Sequence, residues 1–544
     1  MTGLIGDSKL KRRQRLQRCA RGMIVALLAV FGTAPLTASP PSLIVLVVSE
    51  QFRSDYLQLY EKDFSAAGFG RLLADGAVFP TARYEHLTTL AGPNAATLAT
   101  GAYPALHGIV ADRWYERGED RVVRAVDSLT RVPFESPERL TGSTFADELR
   151  LATRGQSRVF AVSGRAEGAV LQAGRHPLGA YWMGADGAFG TSRYYRPTVP
   201  GWVDGFNGLH GAARAEGKQW RGLGQGDEVP PLRVMESGEG LPALYRSSPF
   251  AAADTLAFAL QAVESEGLGQ GDYPDLLIVN ISAPAYLALE TGAHSPLMRD
   301  MVLRLDRMLG VFFDDLDRRL GLDNVGIIFT ATHGIGPLPE GLRENGLAAG
   351  RVPSQGVVEA INAALTGAYG RSAFVQKFVY PYVYLSDTSW QAAGGQRTAV
   401  LRTVGEAART VPGVAGFYAP EPGLDDLPGA DSVRNSWYPK RAGDLALIYD
   451  PYFSEDFGGG RGTAPGSFYR YDTDVPVIFH GPGFRSGQYN SIVSAVDIAP
   501  TLCVWLGISS PTLATGEVLA DALLPRKRPE FIEWDLVGPV PPAP

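Results

Sequence analysis

Four short apolar runs constrain the fold of this 544-residue chain more than any other feature: "SLIVLVVS" (42–49), "DLLIVNIS" (275–282), "VGIIFTAT" (325–332) and "VPVIFHG" (475–481). Each is almost continuously hydrophobic instead of alternating, the pattern of a strand covered on both faces in a mostly parallel sheet. Helical patterns separate them. "MRDMVLRLDRMLGVFFDDLDRRLG" (298–321) repeats apolar residues at helical spacing and ends on a glycine C-cap, and "VDIAPTLCVWLGI" reads as a helix entered near Pro500. The implied class is α/β: a central, mostly parallel sheet with helices on both faces. Residues 40–544 then form one domain. Gly-, Pro- and aromatic-rich residues 175–250 and turn-rich residues 340–470 read as insertions or cap segments on it. Functional loops of such sheets lie at the carboxyl ends of the strands. That rule singles out Glu50, Ser282, Thr332 and His333.

Composition narrows the class. Hydrophobic residues make up 45% and charged residues 20%, enough to bury a large core, and a net charge of −7 leaves no basic stripe to track nucleic-acid phosphates. The first 39 residues differ. The basic "KLKRRQRLQRCARG" precedes a short apolar run, Met23 to Phe31, and a small-residue exit, the order of a secretory signal peptide or, alternatively, an N-terminal anchor. The expected location is therefore exported, periplasmic or extracellular. Loss of Cys19 with the signal would leave Cys503 alone, excluding an intramolecular disulfide and a cysteine metal site.

The chemistry-bearing segment should be "EHLTTLAGPNAATLATGAYPALHGIVADRWY" (85–115), followed by "SGRAEGAV", "HSPLMRD", "TATHG", "YRYDTDVPVIFHGPG" and "VDIAPTL". Together with "EQFRSDYL" after the first strand, this ordered set resembles the alkaline phosphatase superfamily. The likeness is to its threonine-nucleophile alkaline phosphatases and its type I phosphodiesterase–nucleotide pyrophosphatase branch. The resemblance implies two metal ions, usually zinc, held by Asp and His at the strand ends. A Thr or Ser between them attacks phosphorus, and the cations clamp the attacking and leaving oxygens.

Carried over position by position, the resemblance places alanine where the chemistry should be. The nucleophile position is Ala91 and the motif histidine is Ala95. The metal-ligand positions fall on Glu50, Ala285, Leu289, Thr332, His333 and Pro465, of which only Glu50 and His333 can still coordinate. The phosphate-contacting Asn becomes Asp112 and the Lys becomes Ser163, while Arg165 remains. Thr88 and Thr89 lie near Ala91, but a shifted hydroxyl loses near-attack geometry. The sequence therefore predicts no catalytic residue, no cofactor and a remnant pocket around Arg165, Asp112 and Trp182. Its predicted role is binding or structural, with an envelope protein or a small ligand as partner. The alternative is a metal-dependent phosphatase or phosphodiesterase whose zinc site is rebuilt by His294, His480 or Glu290. His86, His107 and His333 are expected to hydrogen-bond backbone.

Overall fold

All four apolar runs are strands of one ten-stranded sheet. The computed structural model describes residues 40–525 apart from 227, 371–373, 393–395, 427 and 457–459; the segment read as an export signal, with Cys19, lies outside the described residues. Seven strands matter for the site: β1 (Leu43–Gln51), β2 (Ala77–Arg83), β3 (Val159–Ser163), β4 (Gly179–Met183), β5 (Asp275–Ile281), β6 (Val325–His333) and β7 (Asp474–His480). They lie in the order β2-β7-β6-β1-β5-β3-β4, and the five from β6 to β4 are mutually parallel. Every residue of β1 is buried. Each fully buried Val, Leu or Ile contributes roughly 1.5–3 kcal/mol, and such burial requires helices over both faces.

One strand departs from the expectation. β7 runs antiparallel to both β6 and β2, with Ile327 opposite His480. A continuous apolar run reports burial on both faces and is silent about direction, so the sequence could not reveal this reversal.

The helices begin and end for local reasons. α4 (Pro296–Leu320) starts with the Ser295 hydroxyl accepting the Met298 N–H and proline in its first turn, and stops at Gly321, whose φ is 75°. α5 (Ile498–Leu506) starts two residues before Pro500, a first-turn position where the ring breaks no helical hydrogen bond. Buried carboxylates then lock elements together. Asp306 of α4 accepts the N–H groups of Ser65 and Phe69, each at 2.7 Å, and so caps the helix Phe69–Asp75. Asp497 likewise accepts from Ser494 and Glu517 at 2.8 and 2.7 Å.

Within 340–470 the chain builds a four-stranded antiparallel sheet, Val375–Val379, Tyr382–Leu385, Leu445–Tyr449 and Val414–Tyr418, over an apolar cluster that includes Ile361, Leu365, Val400 and Leu447. Within 175–250, Phe189, Trp202 and Phe206 pack against Phe258 and join the main core. Among the described residues no helix is long and apolar enough to cross a membrane.

Candidate functional site

The carboxyl ends of β1, β3, β5 and β6 meet three further pieces: the start of α1 (Ala91–Thr100), the start of α3 (Ala283–Thr291) and the segment 463–474 before β7. Contacts close the circle. The Thr332 hydroxyl donates to the Glu50 carbonyl, and the Asn94 amide of α1 donates to the Thr332 carbonyl. The Thr89 hydroxyl donates to Ser467 O at 2.6 Å, and Thr463 N–H donates to Leu289 O at 2.9 Å. A Cβ at Gly466 would meet the Leu90 side chain at 3.3 Å, so the chain next to Pro465 runs beside the residue that precedes α1. Residues remote in sequence, from Glu50 to Pro465, thus assemble at one edge of the sheet.

The centre of this edge is an ion pair. Glu50 is 1% exposed, and the Arg165 Nη1 lies 2.9 Å from its Oε1 and 4.0 Å from Asp112 Oδ2. Burial pushes the Glu50 acid up to about 7, against the pull of Arg165 and of the Ser282 hydroxyl. Arg165 stays charged; burial is the largest single influence and opposes its charge, but Glu50, Tyr286, Glu167 and Asp112 together more than offset it. Its guanidinium also lies 4.8 Å from the Tyr286 ring centroid.

Asp112 has a different task. Leu90 precedes α1 and offers no side-chain cap, whereas Asp112 Oδ1 accepts the Gly92 N–H at 2.6 Å. A Cβ at position 92 would meet that oxygen at 3.0 Å, so glycine permits the approach. Burial is the main cause raising the Asp112 pKa, with Glu167 adding to it and Arg165 opposing. The first turn of α1, a natural anion site, is thus filled by the protein's own carboxylate.

The positions of the expected nucleophile, motif histidine and metal ligands do not fit a zinc ion. Ala91, Ala95 and Ala285 are buried methyl groups, and Leu289 packs against the core. His333 Nδ1 is bonded to Gly334 O at 2.7 Å, and burial lowers its pKa to about 4, leaving a neutral ring with one free nitrogen. Glu50 is held by Arg165. No three His, Cys, Asp or Glu side chains among the described residues are grouped to hold a metal, where zinc needs at least three protein ligands.

None of the substitutes named from sequence reaches the ion pair. His480 was expected at this rim, but the reversal of β7 places it opposite Ile327, six residues before His333 on β6. At about 3.3 Å per residue it lies roughly 20 Å away, at the opposite edge. Glu290 is bonded to Arg233 at 2.9 Å. His294 packs edge-on to Tyr56, beside Arg53 and Asp55. His86 bonds the Asn94 side chain at 2.6 Å and not the expected backbone, because Asn94 of α1 reaches its ring, whereas His107 accepts the Ile109 backbone N–H at 3.2 Å. Trp182 pairs with Ser163 on the sheet and packs between two apolar cores.

Three residues escaped the sequence reading. Tyr286 faces Arg165, Asn94 ties α1 to β6, and Asp472 before β7 is a buried acid whose Oδ1 has no partner. Asn94 and Asp472 stand inside quoted motifs and Tyr286 directly follows the ligand position Ala285, and that was the available signal.

Comparison with known proteins places this geometry. Residues 44–454 match the type I phosphodiesterase / nucleotide pyrophosphatase family. The chain is 27% identical over 537 residues to alkaline phosphatase PafA of Elizabethkingia meningoseptica, covering 92% of this chain and 98% of that protein. It is also 27% identical over 521 residues to alkaline phosphatase PhoV of Synechococcus elongatus, covering 90% and 94%. A crystal structure of PafA superposes with a TM-score of 0.79 at 25% identity, covering 89% of this chain and 99% of that one. With the family matched over most of its length and that architecture shared, the chain belongs to the type I phosphodiesterase / nucleotide pyrophosphatase family of the alkaline phosphatase superfamily.

Proposed function

We propose that this chain is an exported, catalytically retired member of its family with a binding or structural role. One observation carries the reading: both groups that would grip a phosphoryl anion already face internal carboxylates, Arg165 by charge pairing and the α1 amide by a hydrogen bond. Arg165 is committed to Glu50, and the α1 amide at Gly92 is committed to Asp112. A phosphoryl oxygen ~4 Å from Asp112 would be repelled by roughly 4 kcal/mol per charge pair at an effective dielectric of about 20.

The relatives' residues support the reading. A crystallised PafA variant is altered at a threonine, an asparagine, a lysine and an arginine. The threonine–asparagine and lysine–arginine intervals equal those between Ala91 and Asp112 and between Ser163 and Arg165. Of that quartet this chain keeps only the arginine. A methyl group stands at the attacking-oxygen position Ala91, the ligand positions include Ala285, Leu289 and Pro465, and unpaired carboxylates in a site without metal would be expensive.

The competing reading, a working phosphatase with a rearranged site, differs in metal content. After incubation with zinc and dialysis, the protein should retain no stoichiometric zinc by elemental analysis. One or two zinc ions per chain, lost on Glu50→Ala or His333→Ala substitution, would reverse the proposal.

A further inference from the structure

One aromatic ring away from the Glu50–Arg165 pair is a cavity of about 350 Å³ lined by Ala243, Leu244, Arg246, Ser247, Tyr286 and Glu290. Its charges are unequal in their commitments. Glu290 is bonded to Arg233 at 2.9 Å, and Arg233 also donates to the Ser247 hydroxyl at 3.1 Å. Arg246 has no carboxylate partner among the described residues. Its guanidinium lies 4.3 Å from the Tyr286 ring centroid and donates to the Tyr286 hydroxyl. Because that oxygen accepts from Arg246, its own hydrogen remains to donate, and it has no acceptor among the described residues. A free guanidinium and a free hydroxyl donor therefore stand together, beside the apolar surface of Leu244 and Ala243.

We propose that this cavity binds a small monoanionic carboxylate with an apolar tail. Arg246 and Tyr286 hold the carboxylate, and the tail lies on Leu244 and Ala243. Planar, forked recognition is what a guanidinium offers a carboxylate. A single unpaired cation neutralises one negative charge, and the nearby Glu290 penalises a second, so a phosphate dianion fits less well. The inference does not depend on loss of catalysis: Arg246 and Glu290 are outside the ion pair, and the cavity would stand if the family site turned over phosphoesters.

Calorimetric titration of the purified full chain with phenylacetate, and with the uncharged phenylacetamide of the same shape, tests it. Phenylacetate should bind saturably at one site, with the amide and phenyl phosphate weaker by roughly tenfold or more, as expected for loss or mismatch of a charged hydrogen bond. Arg246→Met should weaken phenylacetate by a similar factor. Leu244→Trp, which fills the cavity and leaves the arginine in the sequence, should do so too and keeps the test decisive if Arg246→Met fails to fold. Equal binding of acid and amide, phenylacetate affinity unchanged in Leu244→Trp, or no saturable binding of phenylacetate would overturn the proposal.

Discussion

At the scale of single residues, a carboxylate as buried as Glu50 needs a positive charge beside it. Glu50 keeps its position at the end of β1 because Arg165 supplies a positive charge 2.9 Å away. Removing one partner of a buried pair leaves the other uncompensated, a loss of roughly 3–5 kcal/mol. Arg165→Met should therefore lower unfolding free energy in urea at pH 8 by about 3 kcal/mol, and adding Glu50→Gln should restore most of it. Simple additivity of the two changes would show that the pair is not coupled. Asp472 gives a separate pH signature. Burial raises its pKa from 3.8 to about 7, against the Ser467 hydroxyl and N–H that favour its anion. A folded-state value above the unfolded one means a contribution fully present below pH ~4 and lost as pH rises through ~7. Relative to Asp472→Asn, wild-type stability should fall by at most about 4 kcal/mol between pH 4 and pH 8, measured by urea unfolding across that range. A pH-independent difference would contradict the assignment.

At the scale of elements, α1 depends for its start on a residue that lies outside it. Its first residue is Ala91, its preceding residue gives no cap, and Asp112 fills that role from outside the helix. Asp112→Ala should then destabilise the fold by about 1 kcal/mol, the usual worth of an N-cap, with a matching drop in melting temperature; an unchanged melting temperature would rule out the capping role. Elements also mark what the sequence could convey. The apolar runs of β1, β5, β6 and β7 announced their burial, and the glycine ending α4 announced its stop. The direction of β7 was not encoded in its own residues, because it is set by pairing with β6 and β2. His480 was misplaced for that reason alone.

For the whole molecule, the architecture was legible because a run covered on both faces and an amphipathic helix each leave a periodic trace in sequence. The candidate site was legible where motif order supplied neighbours, as with Glu50, Ala91, Asp112 and Arg165. Tyr286 and the cavity it borders were not, since a cation–ring contact depends on three-dimensional placement that no periodicity records. The central claim is that a phosphoesterase scaffold has been kept while its anion-gripping groups were turned inward on each other. A general base alone supplies about 10² to 10⁴-fold, whereas phosphate-monoester hydrolysis needs acceleration up to ~10²¹-fold. The most direct measurement is hydrolysis of aryl phosphate mono- and diesters by the purified chain with zinc supplied, alongside Ala91→Thr. The account predicts turnover indistinguishable from background for both, because the Ala285, Leu289 and Pro465 positions remain without ligands. Robust wild-type turnover that disappears in Glu50→Ala or His333→Ala would contradict it.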